Sequence, residues 1–168
     1  NIGSITTVSN PTTYGHDFYG VYKAAVAGLL TVVNNVIGSS STSGSINTSS
    51  VSSNNDQALC GIYTLGTGIT NIRNNTVANL LNSSTRNNQN NSVAGICLSG
   101  ANSNTNTVEK NFVYGLYCSN TATTSATNML IGIYVNSGNV SLINNIISLG
   151  QDISALFRIY GILVTGNS

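Results

Sequence analysis

The sequence predicts an all-β chain wound as a parallel solenoid of about four to five stacked rungs. Each rung would hold three short strands and a variable Ser/Thr/Asn-rich loop. Three observations lead there: a glycine element that recurs five times, a corner element that recurs four times, and the absence of helical patterning. The glycine copies are Gly20-Val21-Tyr22, Gly61-Ile62-Tyr63, Gly95-Ile96-Cys97, Gly132-Ile133-Tyr134 and Gly161-Ile162-Leu163, with glycines 41, 34, 37 and 29 residues apart. An internal repeat of this length means that neighbouring copies stack, because one copy cannot bury its own apolar positions.

The glycine element reads as a strand because apolar and other residues alternate around it. In Ile131-Gly132-Ile133-Tyr134-Val135, a period of two sets Ile131, Ile133 and Val135 on one face and Tyr134 on the other. By the same alternation Val21, Ile62, Ile96, Ile133 and Ile162 point inward. Tyr22, Tyr63, Cys97, Tyr134 and Leu163 then form an outward stripe beside a groove of exposed glycine backbone. A second strand follows, as in Val140-Ser141-Leu142, whose outer two residues share a face. Helix is disfavoured throughout, since Gly and β-branched residues recur where a helix would want Ala, Leu or Glu.

The corner element is Val32-Val33-Asn34-Asn35-Val36-Ile37, then Ile72-Arg73-Asn74-Asn75-Thr76-Val77, Val108-Glu109-Lys110-Asn111-Phe112-Val113 and Leu142-Ile143-Asn144-Asn145-Ile146-Ile147. A tight corner between strands needs a left-handed residue, which Asn tolerates better than most. Stacked at ~4.8 Å, the amides of Asn35, Asn75, Asn111 and Asn145 would bond up and down one column as a structural ladder. Length variation collects in Ser39–Asp56, Asn82–Ser92 and Ser119–Thr127, whose Ser, Thr, Asn and Gly content is that of surface loops.

Composition narrows function. Asn, Ser and Thr make up 69 of 168 residues, while charged residues are 5% and net charge is +1. A nucleic-acid surface needs clustered Lys and Arg, so that partner is excluded. Plentiful Ile, Val and Leu oppose disorder. No stretch nears the ~20 apolar residues of a membrane-spanning helix. Cys60, Cys97 and Cys118 form no CxxC, and a metal site needs three or four converging ligands, so neither a metal nor another cofactor is expected. They read as small buried hydrophobes, with one disulfide still open to an exported protein. Sheet-like residues directly after Asn1, and a repeat just begun at Gly161, suggest that residues 1–168 are one β-helix segment of a longer repeat protein.

The glycine elements and Asn-Asn corners, spanning Tyr19 to Gly166, resemble the right-handed parallel β-helices of the pectate-lyase-like type. In particular they resemble the Asn/Ser/Thr-rich repeat regions of large secreted bacterial surface proteins and adhesins. The resemblance implies right-handed coiling, which the general rule for parallel crossovers also favours. It also implies an extracellular or cell-surface location, and flanking rungs or neighbouring copies as partners. Such folds carry lyases, hydrolases, adhesins and passive stalks alike, so function has to come from the residues.

A β-helical lyase or hydrolase needs carboxylates on neighbouring rungs. Asp17, Asp56, Glu109 and Asp152 share no column on adjacent rungs, and Lys23, Arg73, Arg86, Lys110 and Arg158 are as scattered. No catalytic residue is therefore assigned. Arg73 and Glu109 share a column and read as a surface ion pair rather than a catalytic one. His16-Asp17 lacks a nucleophile in matching context. The tyrosine stripe, Tyr22, Tyr63 and Tyr134, has most promise, because regularly spaced exposed aromatics suit sugar rings or a flat protein face. The alternatives are that a loop or neighbouring domain covers it, or that inward and outward are exchanged. The expected function is a non-enzymatic extracellular structural or adhesive module: stalk, adhesin or filament segment. The second expectation is a set of non-catalytic rungs supplying glycan subsites to a carbohydrate-active β-helix.

Overall fold

A computed structural model describes residues 1–10, 16–24, 27–51, 57–84, 92–100, 105–119, 128–150 and 157–166. The first turn carries β1 (Ile5–Ser9), β2 (Phe18–Lys23) and β3 (Leu30–Val33). The second carries β4 (Val36–Ile37), β5 (Ile46–Ser50), β6 (Ala58–Thr64) and β7 (Thr70–Arg73), and the third β8 (Thr76–Asn82), β9 (Ser92–Leu98) and β10 (Asn106–Glu109). The fourth holds β11 (Phe112–Cys118), β12 (Asn128–Val135) and β13 (Val140–Ile143), and the last β14 (Ile146–Ser148) and β15 (Phe157–Val164). Each strand pairs in parallel with its equivalent one turn away. This gives three sheets, ordered β1-β5-β8-β11-β14 with β4 also on β8, β13-β10-β7-β3, and β15-β12-β9-β6-β2. The chain is an all-β, three-sided parallel β-helix.

Register follows the repeats. Ile62 pairs with Ile96, and Ile96 with Ile133. Ile72 pairs with Val108, which pairs with Leu142, while Val77 pairs with Val113 and Val113 with Ile147. These columns meet in one interior cluster that includes Ile62, Ile96, Ile133, Ile72, Val108 and Val77. Each such side chain contributes about 1.5–3 kcal/mol on burial, so the stacked interior is the main cohesive term.

The glycines overturn two expectations. Ile131 does not share a face with Ile133 and Val135. It packs outside the coil with Cys60, Ala94 and Cys97, while Ile133 and Val135 belong to the interior. The glycine in between interrupts the period of two, and the ladder registers skip it at every turn. Nor do the glycines line an outer groove. A Cβ on Gly61 would lie 2.4 Å from Cγ1 of Val77, and one on Gly95 2.4 Å from Cγ1 of Val113. The missing side chains leave room that Ile37, Val77, Val113 and Ile147 of the facing sheet fill.

The corners divide their labour between two residues. Asn34, Asn74, Lys110 and Asn144 take the left-handed conformation, with φ of 58°, 55°, 53° and 51°. The following asparagine forms the ladder. Backbone N–H and Nδ2 of Asn35 both donate to Oδ1 of Asn75, at 3.0 and 3.2 Å. Asn75 donates likewise to Asn111 (3.0 and 3.0 Å), and Asn111 to Asn145 (3.0 and 2.9 Å). Nδ2 of Asn75, Asn111 and Asn145 also reaches the carbonyl oxygens of Val32, Ile72 and Val108. A different polar knot closes the junction of β5 and β8 with β6, where Nε2 of buried Gln57 donates to Oγ1 of Thr48 and Oδ1 of Asn82.

Candidate functional site

Gly-interrupted alternation gives the outer face of the β15-β12-β9-β6-β2 sheet two apolar columns rather than one. The expected column runs Tyr22, Tyr63, Cys97, Tyr134 and Leu163 in successive register. The second, one residue before each glycine, runs Tyr19, Cys60, Ala94, Ile131 and Tyr160. Together they form a second apolar cluster, with buried Cys60, Ala94, Cys97 and Ile131 beneath partly buried Tyr19, Tyr63, Met129, Tyr134, Tyr160 and Leu163. The second column was missed in the sequence because strict alternation assigns those positions to the interior. The signal that could have found it is a tyrosine preceding the glycine at both Tyr19 and Tyr160.

At the first-turn end the stripe becomes an aromatic patch. Ring centroids of Tyr19 and Tyr63 lie 4.8 Å apart, Tyr19 and Tyr22 5.2 Å, and Tyr22 and Tyr63 5.7 Å. Tyr22 is 52% exposed. Asp17 ties the patch down, its Oδ2 accepting from the Tyr19 hydroxyl at 3.0 Å and its Oδ1 from the Ala58 N–H at 2.8 Å. Burial, then the Asp17 carboxylate, raises the Tyr19 phenol above its ordinary range. Burial also raises Tyr63. The Cys60 thiol is pushed well up by burial and by Cys97 beside it. All three groups are neutral near pH 7, with the Asp17 carboxylate at the edge of the patch. Beside Tyr22 an open hollow of about 380 Å³ is lined by Lys23, Ala24, Ala27, Gly28, Leu29 and Leu30. Tyr134 lies farther along the face, its hydroxyl donating to Oδ1 of Asn136 at 3.1 Å.

The other singled-out residues stay apart. Glu109 does stand in register with Arg73. Its carboxylate nevertheless meets Nζ of neighbouring Lys110, at 3.2 Å, in place of the expected Arg73 pair. His16 Nε2 lies 3.0 Å from Oγ1 of Thr7. Asp56, Arg86 and Asp152 fall outside the described residues, as do parts of the three variable loops. Cys60, Cys97 and Cys118 are all buried. Among the described residues no three His, Cys, Asp or Glu side chains converge. No family model, curated protein or solved structure matches this chain.

Proposed function

We propose that this chain is a non-enzymatic structural or adhesive repeat module, a stalk, adhesin or filament segment of a secreted bacterial surface protein. The likeness to pectate-lyase-like repeat regions, the extracellular location and the pairing with further rungs or neighbouring copies belong to the same proposal. The observation that carries it is the apolar, tyrosine-rich outer face. Outside the interior, the coil concentrates apolar side chains there, with Tyr19, Tyr22 and Tyr63 stacked against one another at its end. A rigid β-helix holds such rings at fixed spacing, which favours flat contact with little ordering cost.

A second reading, glycan subsites within a carbohydrate-active β-helix, is favoured by the exposed Tyr22 ring beside the hollow bearing Lys23. Sugars stack on such rings and take hydrogen bonds from neighbouring polar groups. Glycan-array binding separates the two. Binding lost on Tyr22→Ala while the fold persists supports the subsite reading. Absence of binding to any sugar, with retained adhesion to a protein-coated surface, supports the first. Hydrolase or lyase turnover by this chain, abolished by one substitution, would refute both.

A further inference from the structure

We propose that Tyr19 and Tyr63 form an oxidative cross-linking site, where a one-electron oxidant joins their rings as dityrosine and ties the first turn covalently to the second. The glycine interruption brings the two rings together. β2 and β6 pair Tyr19 with Cys60 and Tyr22 with Tyr63, with Gly20 and Gly61 in between. Both columns therefore face outward, and the Tyr19 ring meets that of Tyr63 across the strand pair, with centroids 4.8 Å apart and planes tilted by 35°. Tyr22 stacks on Tyr63 at 5.7 Å and only 15°, which presents ring faces rather than the edges that couple. Phe112 and Tyr114 lie closer, at 4.5 Å, but hold one phenol between them.

Asp17 supplies the base that the chemistry needs. Removing an electron from a phenol leaves an acidic radical cation, so the step is easiest where a base already holds the proton. Oδ2 of Asp17 accepts from the Tyr19 hydroxyl at 3.0 Å, and its Oδ1 is held by the Ala58 N–H of the next turn at 2.8 Å. Loss of one electron from Tyr19 therefore passes the phenolic proton to the carboxylate along an existing charge-assisted hydrogen bond. Loss of a second electron from partly buried Tyr63, with its proton going to water, sets a second phenoxyl radical against the first. The radicals pair into a carbon–carbon bond between ring positions ortho to the two hydroxyls. The hydrogens on the joined carbons then return to the oxygens by enolisation. Two electrons and two protons leave in all, and the oxidant takes both electrons.

The surroundings favour coupling over diversion. The Cys60 thiol beneath the rings donates to the Ile62 carbonyl at 3.2 Å, so its hydrogen is turned away from the phenols. Strand pairing holds the two radicals in contact, which makes their reaction effectively intramolecular. The product fastens β2 to β6 through side chains, beside the backbone ladder that already joins them. It forms whatever the tyrosine face binds.

Photo-oxidation of the dilute 168-residue chain with tris(bipyridine)ruthenium(II) and persulfate tests this. The expected product is a monomer two hydrogens lighter, with dityrosine fluorescence and digest peptides joined at Tyr19 and Tyr63. Tyr19→Phe and Tyr63→Phe keep the rings and should each abolish it, whereas Tyr22→Phe should retain it. Asp17→Asn, with an unchanged circular dichroism signal, should slow its formation about tenfold through loss of the charged acceptor. A cross-link mapped to another pair, dityrosine only between separate molecules, product surviving Tyr19→Phe, or an unchanged rate in Asp17→Asn would each overturn the proposal.

Discussion

Lys110 stands where three other corners place asparagine, and it holds φ of 53° with a long side chain. A Cβ in the left-handed region costs about 1–2 kcal/mol, a cost that Asn partly recovers through local hydrogen bonds. Lys110→Asn should therefore stabilise the protein by about 0.5–1 kcal/mol, read as a higher urea midpoint at unchanged slope. Its Glu109 partner is a surface contact with little to lose. The next residue works oppositely. Asn111 is buried, accepts two bonds from Asn75, and donates to Ile72 and Asn145. Asn111→Ala strands buried polar groups on both sides and should cost about 2–4 kcal/mol. Asn35 supports no such pair of donors, so Asn35→Ala should cost under about 1 kcal/mol in the same titration. Equal losses at the two positions would mean that the column is a row of independent contacts.

At the scale of the strand, the glycine decides which side chains face in. Gly95 and Gly161 begin the same motif, yet their surroundings differ. A Cβ on Gly95 would sit 2.4 Å from Val113 and 2.7 Å from the Gly132 carbonyl oxygen, whereas one on Gly161 meets nothing within 4 Å. Gly95→Ala should cost at least about 1–3 kcal/mol by overpacking, and Gly161→Ala should be near neutral in a thermal melt. This contrast also marks how far the sequence could be read. The stacking of Ile62, Ile96 and Ile133 was legible, because equal spacing after each glycine fixes register. The asparagine columns were legible for the same reason. The outward turn of Ile131 was not, because a period of two carries no sign that a glycine will break it. The corner was half legible. Asn-Asn signals a bend, but which of the pair bends and which bonds depends on backbone angles set only once the turns stack.

For the whole molecule, with five basic and four acidic residues in all, long-range charge contributes little, and cohesion rests on the interior and on the outer aromatic layer. That layer sets an alkaline limit. Burial holds the Cys60 thiol and the Tyr19 phenol protonated above their ordinary values of 9.0 and 10.0. In the unfolded chain both groups ionise at those ordinary values. The folded form then binds more protons than the unfolded one, so stability falls as pH rises. Each contribution is fully present below the unfolded value and is lost as pH climbs from there towards the folded one. Urea midpoints should therefore hold steady through neutrality, begin to fall near pH 9 with Cys60, and fall more steeply above pH 10 as Tyr19 joins. Cys60→Ala lowers the plateau by removing packing but should soften the first part of the decline, and Tyr19→Phe should soften the second, leaving the share of Tyr63, whose phenol burial also raises. An alkaline limb unchanged in the double variant would place the limit elsewhere, in groups other than the layer beneath the tyrosines.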